Sequence, residues 1–251
     1  ATSRKENGLP DTSNISPVAT NFGYFGRGAG NNYETALNRI DYSNDTATAS
    51  ARGFTSPSTQ AGGGTGNSTH GYFGGGESPV KSTVDRTDYS NDTATASVKG
   101  PLSDARYILT ATGNSSYGYF GGGYSPSGAD KSIVDRIDYV NDTATAVARG
   151  PLGAPTQSPA ATGNQSFGYF GGGYNPGAGR VSTVHRVEYS NDTPTTPSKG
   201  PLSVARSAAA ATGNQNFGYF GAGHDGNYPG MLSTIDRVDY SNDTATASPK
   251  G

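Results

Sequence analysis

Gly118-Tyr119-Phe120-Gly121-Gly122-Gly123, then SIVDRIDY (132–139), then Asn141-Asp142-Thr143, are the residues that decide how this chain folds. Each contains a shorter pattern that occurs five times. The tyrosine of GYFG falls at Tyr24, Tyr72, Tyr119, Tyr169 and Tyr219. The arginine of R-[ITV]-[DE]-Y falls at Arg39, Arg86, Arg136, Arg186 and Arg237, and NDT begins at Asn44, Asn91, Asn141, Asn191 and Asn242. Successive GYFG tyrosines lie 48, 47, 50 and 50 residues apart. The spacing varies only between the Gly-rich run and the Arg-containing run, so that stretch is a variable loop. A fixed period of this length marks a repeat architecture.

Each repeat reads as four short strands. The first carries small residues: SPVAT (16–20), STQAGGG (58–64), ILTATG (108–113), SPAATG (158–163) and SAAAATG (207–213). The second is GYFGGG. The third alternates with period two, placing Arg and Asp on one face and Ile and Tyr on the other. Asn-Asp then turns the chain, because both residues tolerate left-handed backbone and bond locally. TATAS or a variant forms the fourth strand. Four strands per repeat of this length predict an all-β, five-bladed β-propeller with antiparallel blades. The repeats run approximately 1–53, 54–100, 101–150, 151–200 and 201–251, as a single propeller domain over 1–251. Small residues in phase on the first strand suit the crowded centre of so small a ring.

Composition agrees and excludes other classes. Apolar residues make up only 31% and glycines number 38, which alone would lean toward disorder. Charge is low at 15%, however, and 16 Tyr and 9 Phe supply material for a thin core. A net charge of −2 offers no basic stripe for nucleic acid. No apolar run approaches membrane-spanning length. Cysteine is absent, which removes disulfides, thiolate metal sites and cysteine nucleophiles together.

The order A-R…A-T-G-N…G-Y-F-G-G-G…S-T-V-D-R-I-D-Y…N-D-T-A-T-A-S is similar to the kelch repeat. The kelch double glycine matches at Gly74-Gly75, Gly121-Gly122 and Gly171-Gly172, and departs at Arg27 and Ala222. The kelch tryptophan is missing throughout. The resemblance spans essentially the whole chain and implies a propeller. It also extends to kelch-like arrays in structural proteins of environmental phages and microbes. Copper oxidation on a kelch propeller needs a Tyr–Cys crosslink, and this chain has no Cys to form one.

The residues offer little catalytic chemistry. His70, His185 and His224 sit at different phases of the repeat and share no metal-ligand spacing; His185 stands where Asp85, Asp135 and Asp236 stand elsewhere. No G-x-S-x-G elbow is present. The glycine runs precede no helix, so they lack the context that cradles phosphate. The expectation is therefore no catalytic residue, no metal and no cofactor.

Three residue sets stand out instead. The third strand carries Arg39/Asp41, Arg86/Asp88, Arg136/Asp138, Arg186/Glu188 and Arg237/Asp239, two apart on one face. These are expected to be half-buried ion pairs that lock neighbouring blades; the alternative is a ring of charges gripping a polar ligand. The second set is the N-x-[ST] sequons at Asn14, Asn44, Asn67, Asn91, Asn114, Asn141, Asn164, Asn191 and Asn242. A turn that happens to spell the sequon is the plainer reading. In a glycosylating host the NDT turns would carry a collar of glycans. The third set is the loops after the double glycine: Asn31–Thr35, Glu77–Lys81, Tyr124–Lys131, Tyr174–Val181 and His224–Leu232, which carry Tyr33, Tyr124, Tyr174 and Tyr228. Tyrosine rings offer flat faces to sugars.

These readings point to a non-catalytic structural or interaction propeller, a module or repeating subunit of an extracellular fibre or virion appendage. The alternative is a lectin-like, glycan-binding propeller that uses the variable loops. The expected partners are other copies of the chain, head to tail, or glycans, and neither nucleic acid nor membrane. Residues 1–15 precede the first expected strand, and ATSRKENGLP (1–10) resembles TASVKGPL (95–102), a fourth strand plus its exit, so it is expected either to close the ring beside blade five or to add to another copy's edge.

Overall fold

The computed structural model describes residues 22–26, 36–55, 60–227 and 230–251. The first strand of repeat one (16–20), the segment 1–15, Asn14, Arg27, Tyr33 and Tyr228 lie outside the described residues. The chain is a five-bladed β-propeller. Blade 1 shows three strands, β1 (Phe22–Phe25), β2 (Ala36–Asp41) and β3 (Ser50–Phe54). Blade 2 is β4 (Gly63–Gly66), β5 (His70–Gly74), β6 (Val84–Asp88) and β7 (Ser97–Lys99). Blade 3 is β8 (Thr110–Gly113), β9 (Tyr117–Gly121), β10 (Val134–Asp138) and β11 (Val147–Arg149). Blade 4 is β12 (Ala160–Gly163), β13 (Phe167–Gly171), β16 (Val184–Glu188) and β17 (Ser198–Lys199), with the hairpin β14 (Tyr174–Asn175) and β15 (Gly179–Arg180) in its loop. Blade 5 is β18 (Ala210–Gly213), β19 (Phe217–Gly221), β20 (Ile235–Asp239) and β21 (Ser248–Pro249). Every four-stranded blade is a sequential antiparallel meander.

The expected second and third strands of all five repeats, and the first strands of repeats three to five, appear in their expected places; in blade 2 the described pairing covers 63–66. The fourth strand is displaced. It starts only at the last residue of TATAS or its variant and runs on to the Lys or Arg two places further, as in Ser97–Lys99 and Val147–Arg149. The cause lies in the turn. Asn-Asp-Thr-Ala closes on itself through the Ala94 amide to the Asn91 carbonyl and the Ala144 amide to the Asn141 carbonyl. The chain meets β6 or β10 again only after that turn is complete.

The inner strands β4, β8, β12 and β18 pack on one another in order. Just ahead of them, Ala61, Ile108, Ser158 and Ala208 all hold left-handed backbone, with φ between 49° and 58°. Such a conformation costs a non-glycine residue about 1–2 kcal/mol. Here each turns its amide across the junction. Ile108 donates to the Ala61 carbonyl at 2.7 Å, Ser158 to Ile108 at 2.8 Å and Ala208 to Ser158 at 3.1 Å. The strained residues thus tie each blade's inner end to the next.

The apolar core lies between blades rather than within them. One cluster joins Tyr72 and Val84 of blade 2 to Phe120, Ile137 and Tyr139 of blade 3. Another joins Tyr119 and Val134 of blade 3 to Phe170, Val187 and Tyr189 of blade 4. A third joins Tyr169 and Val184 to Phe220, Val238 and Tyr240 of blade 5. A single repeat has no core of its own, so it needs a neighbour to bury its faces.

Candidate functional site: the seams between blades

The repeated polar residues converge at the outer half of these seams. Asp92, the middle residue of the NDT turn in blade 2, is buried against blade 1. It accepts a hydrogen bond from the Tyr24 hydroxyl at 2.8 Å and from Arg39 Nη1 at 2.7 Å, with Arg52 Nε 3.6 Å away. The next seam repeats this with Asp142, Tyr72, Arg86 and Lys99. Asp192 takes Tyr119, Arg136 and Arg149, and Asp243 takes Tyr169, Arg186 and Lys199. Each carboxylate therefore meets one phenol and two cations. A buried carboxylate needs this degree of compensation to remain charged.

The expected pairing inside the third strand is corrected by this geometry. Arg39, Arg86, Arg136 and Arg186 direct their close ion pairs to the next blade's NDT aspartate, not to Asp41, Asp88, Asp138 or Glu188. Of the strand-sharing carboxylates Asp88, Asp138 and Glu188 lie exposed and Asp41 and Asp239 half-buried, and all are used locally. Asp41, Asp88 and Asp239 each accept from the amide and hydroxyl of a serine two residues on, Ser43, Ser90 and Ser241. Those bonds hold their carboxyls below the usual range, and the strand arginine adds only a lesser pull. Asp138 caps the Val140 amide, and Glu188 accepts from the Ser190 hydroxyl. Among the described residues Arg237 has no aspartate within ion-pair distance; its guanidinium lies over the Phe217 ring at 4.4 Å.

Aromatic stacking closes each seam. Tyr24 stacks on Tyr89, Tyr72 on Tyr139, Tyr119 on Tyr189 and Tyr169 on Tyr240, with centroids 4.6–4.7 Å apart. A stacked pair contributes about 0.5–1.5 kcal/mol beyond its buried area. Burial and the aspartate bond push the Tyr24 phenol up to about 12, and the same causes raise Tyr72, Tyr119 and Tyr169 further. The phenols are therefore neutral donors across the physiological range. The glycine that ends each repeat completes the joint. Gly53, Gly100, Gly150 and Gly200 donate their amides to the carbonyls of Asp92, Asp142, Asp192 and Asp243 at 2.7–2.8 Å.

A second polar cluster sits deeper. Arg106 and Asp135 are fully buried and bonded at 2.8 Å. Arg106 also donates to the Gly122 and Phe120 carbonyls, and Ser103 caps Asp135 through its amide and hydroxyl. Ser203, Arg206 and Asp236 rebuild this brace in blade 5. Sequence reasoning left out Arg106 and Arg206, and the seam role of the NDT aspartates. The signal was available in the second case, since Asp recurs there in every repeat alongside the Lys/Arg-Gly ending.

The sequons divide by position. Asn44, Asn91, Asn141, Asn191 and Asn242 are exposed on the blade rim. Asn164 is buried, and Asn114 is half-buried. Their side-chain oxygens accept the amides two and three residues on, and their Nδ2 atoms donate to the Gln215 and Gln165 carbonyls. Asn67 makes the same kind of turn with Thr69 and His70. Of the loop tyrosines, Tyr124 packs edge-on to Tyr107 and bridges to it, while Tyr174 bridges to Gln157. A groove of about 430 Å³ between blades 3 and 4 is lined by Tyr117, Phe167 and Glu188 among others. Arg136 and Arg186 already cover one face of the Tyr117 and Phe167 rings at 4.5 Å.

Among the described residues no three His, Asp or Glu side chains gather as a metal site. Among them, too, no helix is long and apolar enough to cross a membrane. Neither a scan of protein-family models nor a search of curated proteins returns a match to the chain.

Proposed function

We propose that this propeller is a non-catalytic structural and interaction module, kelch-like in its repeat, that serves as a repeating subunit of an extracellular fibre or virion appendage. The observation that carries this reading is the use of the polar side chains. In each seam the carboxylate accepts from the phenol and one arginine and lies within ion-pair distance of the second cation. A general acid or base needs a free lone pair or proton within reach of a substrate, and these groups spend theirs on holding blades together. The low charge and the near-identity of the repeats favour a scaffold in the same way. The exposed NDT turns would present glycans, where a host adds them, on the rim and clear of the seams.

Immunogold electron microscopy of the native material tests the reading. Antibody against the chain is expected to label filaments or virion appendages. Label confined to the cell interior, or to free particles, would overturn it.

A further inference from the structure

Four seams are built alike, and the faces that would make a fifth are both present and both open. Within the molecule, Phe120, Phe170 and Phe220 are buried on the preceding blade, as are Val84, Val134 and Val184 on the following one. Their counterparts at the two ends are Phe25 on blade 1, 58% exposed, and Ile235 on blade 5, 42% exposed. Tyr89, Tyr139, Tyr189 and Tyr240 each stack on the preceding blade, whereas the equivalent Tyr42 is 62% exposed. Thr112 and Thr162 are buried against the next blade; Thr212 is exposed.

The charges tell the same story. Blade 5 offers Arg237 and Lys250 where Arg186 and Lys199 grip Asp243. Blade 1 offers Asp45, exposed, where Asp243 is buried. Neither side of this set has an ion-pair partner among the described residues. A Cβ at Gly200 would meet the next blade's Ala245 carbonyl, while one at Gly251 would meet nothing within 4 Å among the described residues.

We propose that a second copy of this chain fills this seam, with blade 1 of one copy docking on blade 5 of the next in the register of the internal seams. Tyr42 then stacks on Tyr219, Asp45 takes Arg237 and Lys250, and Phe25 covers Ile235. The two faces are the halves of one junction, apolar against apolar and anion against two cations. That is why the partner is another copy and not an unrelated surface. Because the halves differ, the contact is heterologous, and repeated addition produces a ring of copies or a filament. The proposal rests on the structural-module reading and deepens it by naming the partner.

The test uses the 251-residue chain. Sedimentation velocity is expected to show mass rising with concentration. Arg237→Glu or Asp45→Arg alone should weaken association by about thirtyfold or more. The two changes in one chain should restore it, a result no misfolded variant gives. Zero-length carbodiimide coupling in an equal mixture of light and heavy-isotope protein should join Lys250 to Asp45 with mixed isotopes. A monomer at every concentration overturns the proposal. So does a Lys250–Asp45 link of unmixed isotopes, which would make the chain's own blade 1 the occupant. Assembly indifferent to both charge changes also overturns it, and leaves the fibre reading standing on some other surface.

Discussion

Blades 3 and 4 share a backbone plan but not a brace. In blade 3, Arg106 and Asp135 form a fully buried ion pair that the exposed Ser103 caps. In blade 4 the same places hold Gly153, Thr156 and His185. The linking segments run alike. Leu102 and Leu152 donate to the Ser82 and Ser132 carbonyls, and Arg106 and Thr156 donate their amides to the Lys81 and Lys131 carbonyls. All three side chains have changed together, and each change requires the others. A serine at 153 would press on the imidazole, since a Cβ there lies 2.8 Å from His185 Cε1. A carboxylate at 185 would find no guanidinium. The brace is therefore a matched set, and the fold requires its completeness rather than its charge. A buried ion pair and a well-fitted neutral substitute are often equal in stability, whereas half a pair is costly.

The largest effect expected from this comparison is at Arg106. Arg106→Ala strands Asp135 in a fully buried site and should cost about 3–5 kcal/mol in urea unfolding. Thr156→Ala, at the same place in blade 4, removes one hydroxyl that bonds the Ala154 carbonyl, and should cost about 1 kcal/mol. Equal losses at the two positions would show that the arginine is not what braces blade 3.

Next comes the exchange. His185→Asp alone should destabilise by several kcal/mol, on the order of 3, as a carboxylate buried without a cation. Adding Gly153→Ser and Thr156→Arg should recover most of that loss. The non-additivity, of about 2 kcal/mol or more, is the quantity to measure. Additive losses across the three sites would mean they are not a set.

The smallest effect is one of pH. Burial lowers the His185 pKa from its ordinary 6.5, outweighing a bond to the Thr196 backbone that raises it. The folded state therefore favours the neutral ring. Its contribution is complete above pH 6.5 and declines as pH falls toward the lowered value, because the unfolded chain takes up the proton first. Melting temperature should drop more between pH 7 and pH 5 in the parent than in His185→Asn. Identical profiles would place the imidazole in water.

Much of this was legible in the sequence. Period, strand count and the turn at Asn-Asp followed from strings that recur five times, and the odd standing of His185 showed against Asp85, Asp135 and Asp236. The partners of the charges were not legible. Two residues apart on a strand, Arg86 and Asp88 look like a pair, but Asp88 is taken by Ser90 while Arg86 reaches Asp142, 56 residues on. Local spacing carries no information about contacts that only ring geometry creates. The fourth strand was misplaced for a related reason. Thr-Ala-Thr-Ala alternates like a strand, yet Asp92 and Asp142 must first be buried against the neighbouring blade. The tertiary contact overrides the local pattern.

The glycine at the end of each blade has a consequence for inheritance. A Cβ at Gly53, Gly100, Gly150 or Gly200 would lie 1.7–1.9 Å from a backbone carbonyl oxygen of the next blade. Every other amino acid brings that atom, so every missense change in these four codons damages a joint. A saturation library scored for folding would show four spikes of intolerance, one blade length apart. Gly251, where a Cβ would meet open space, would tolerate what its four equivalents cannot.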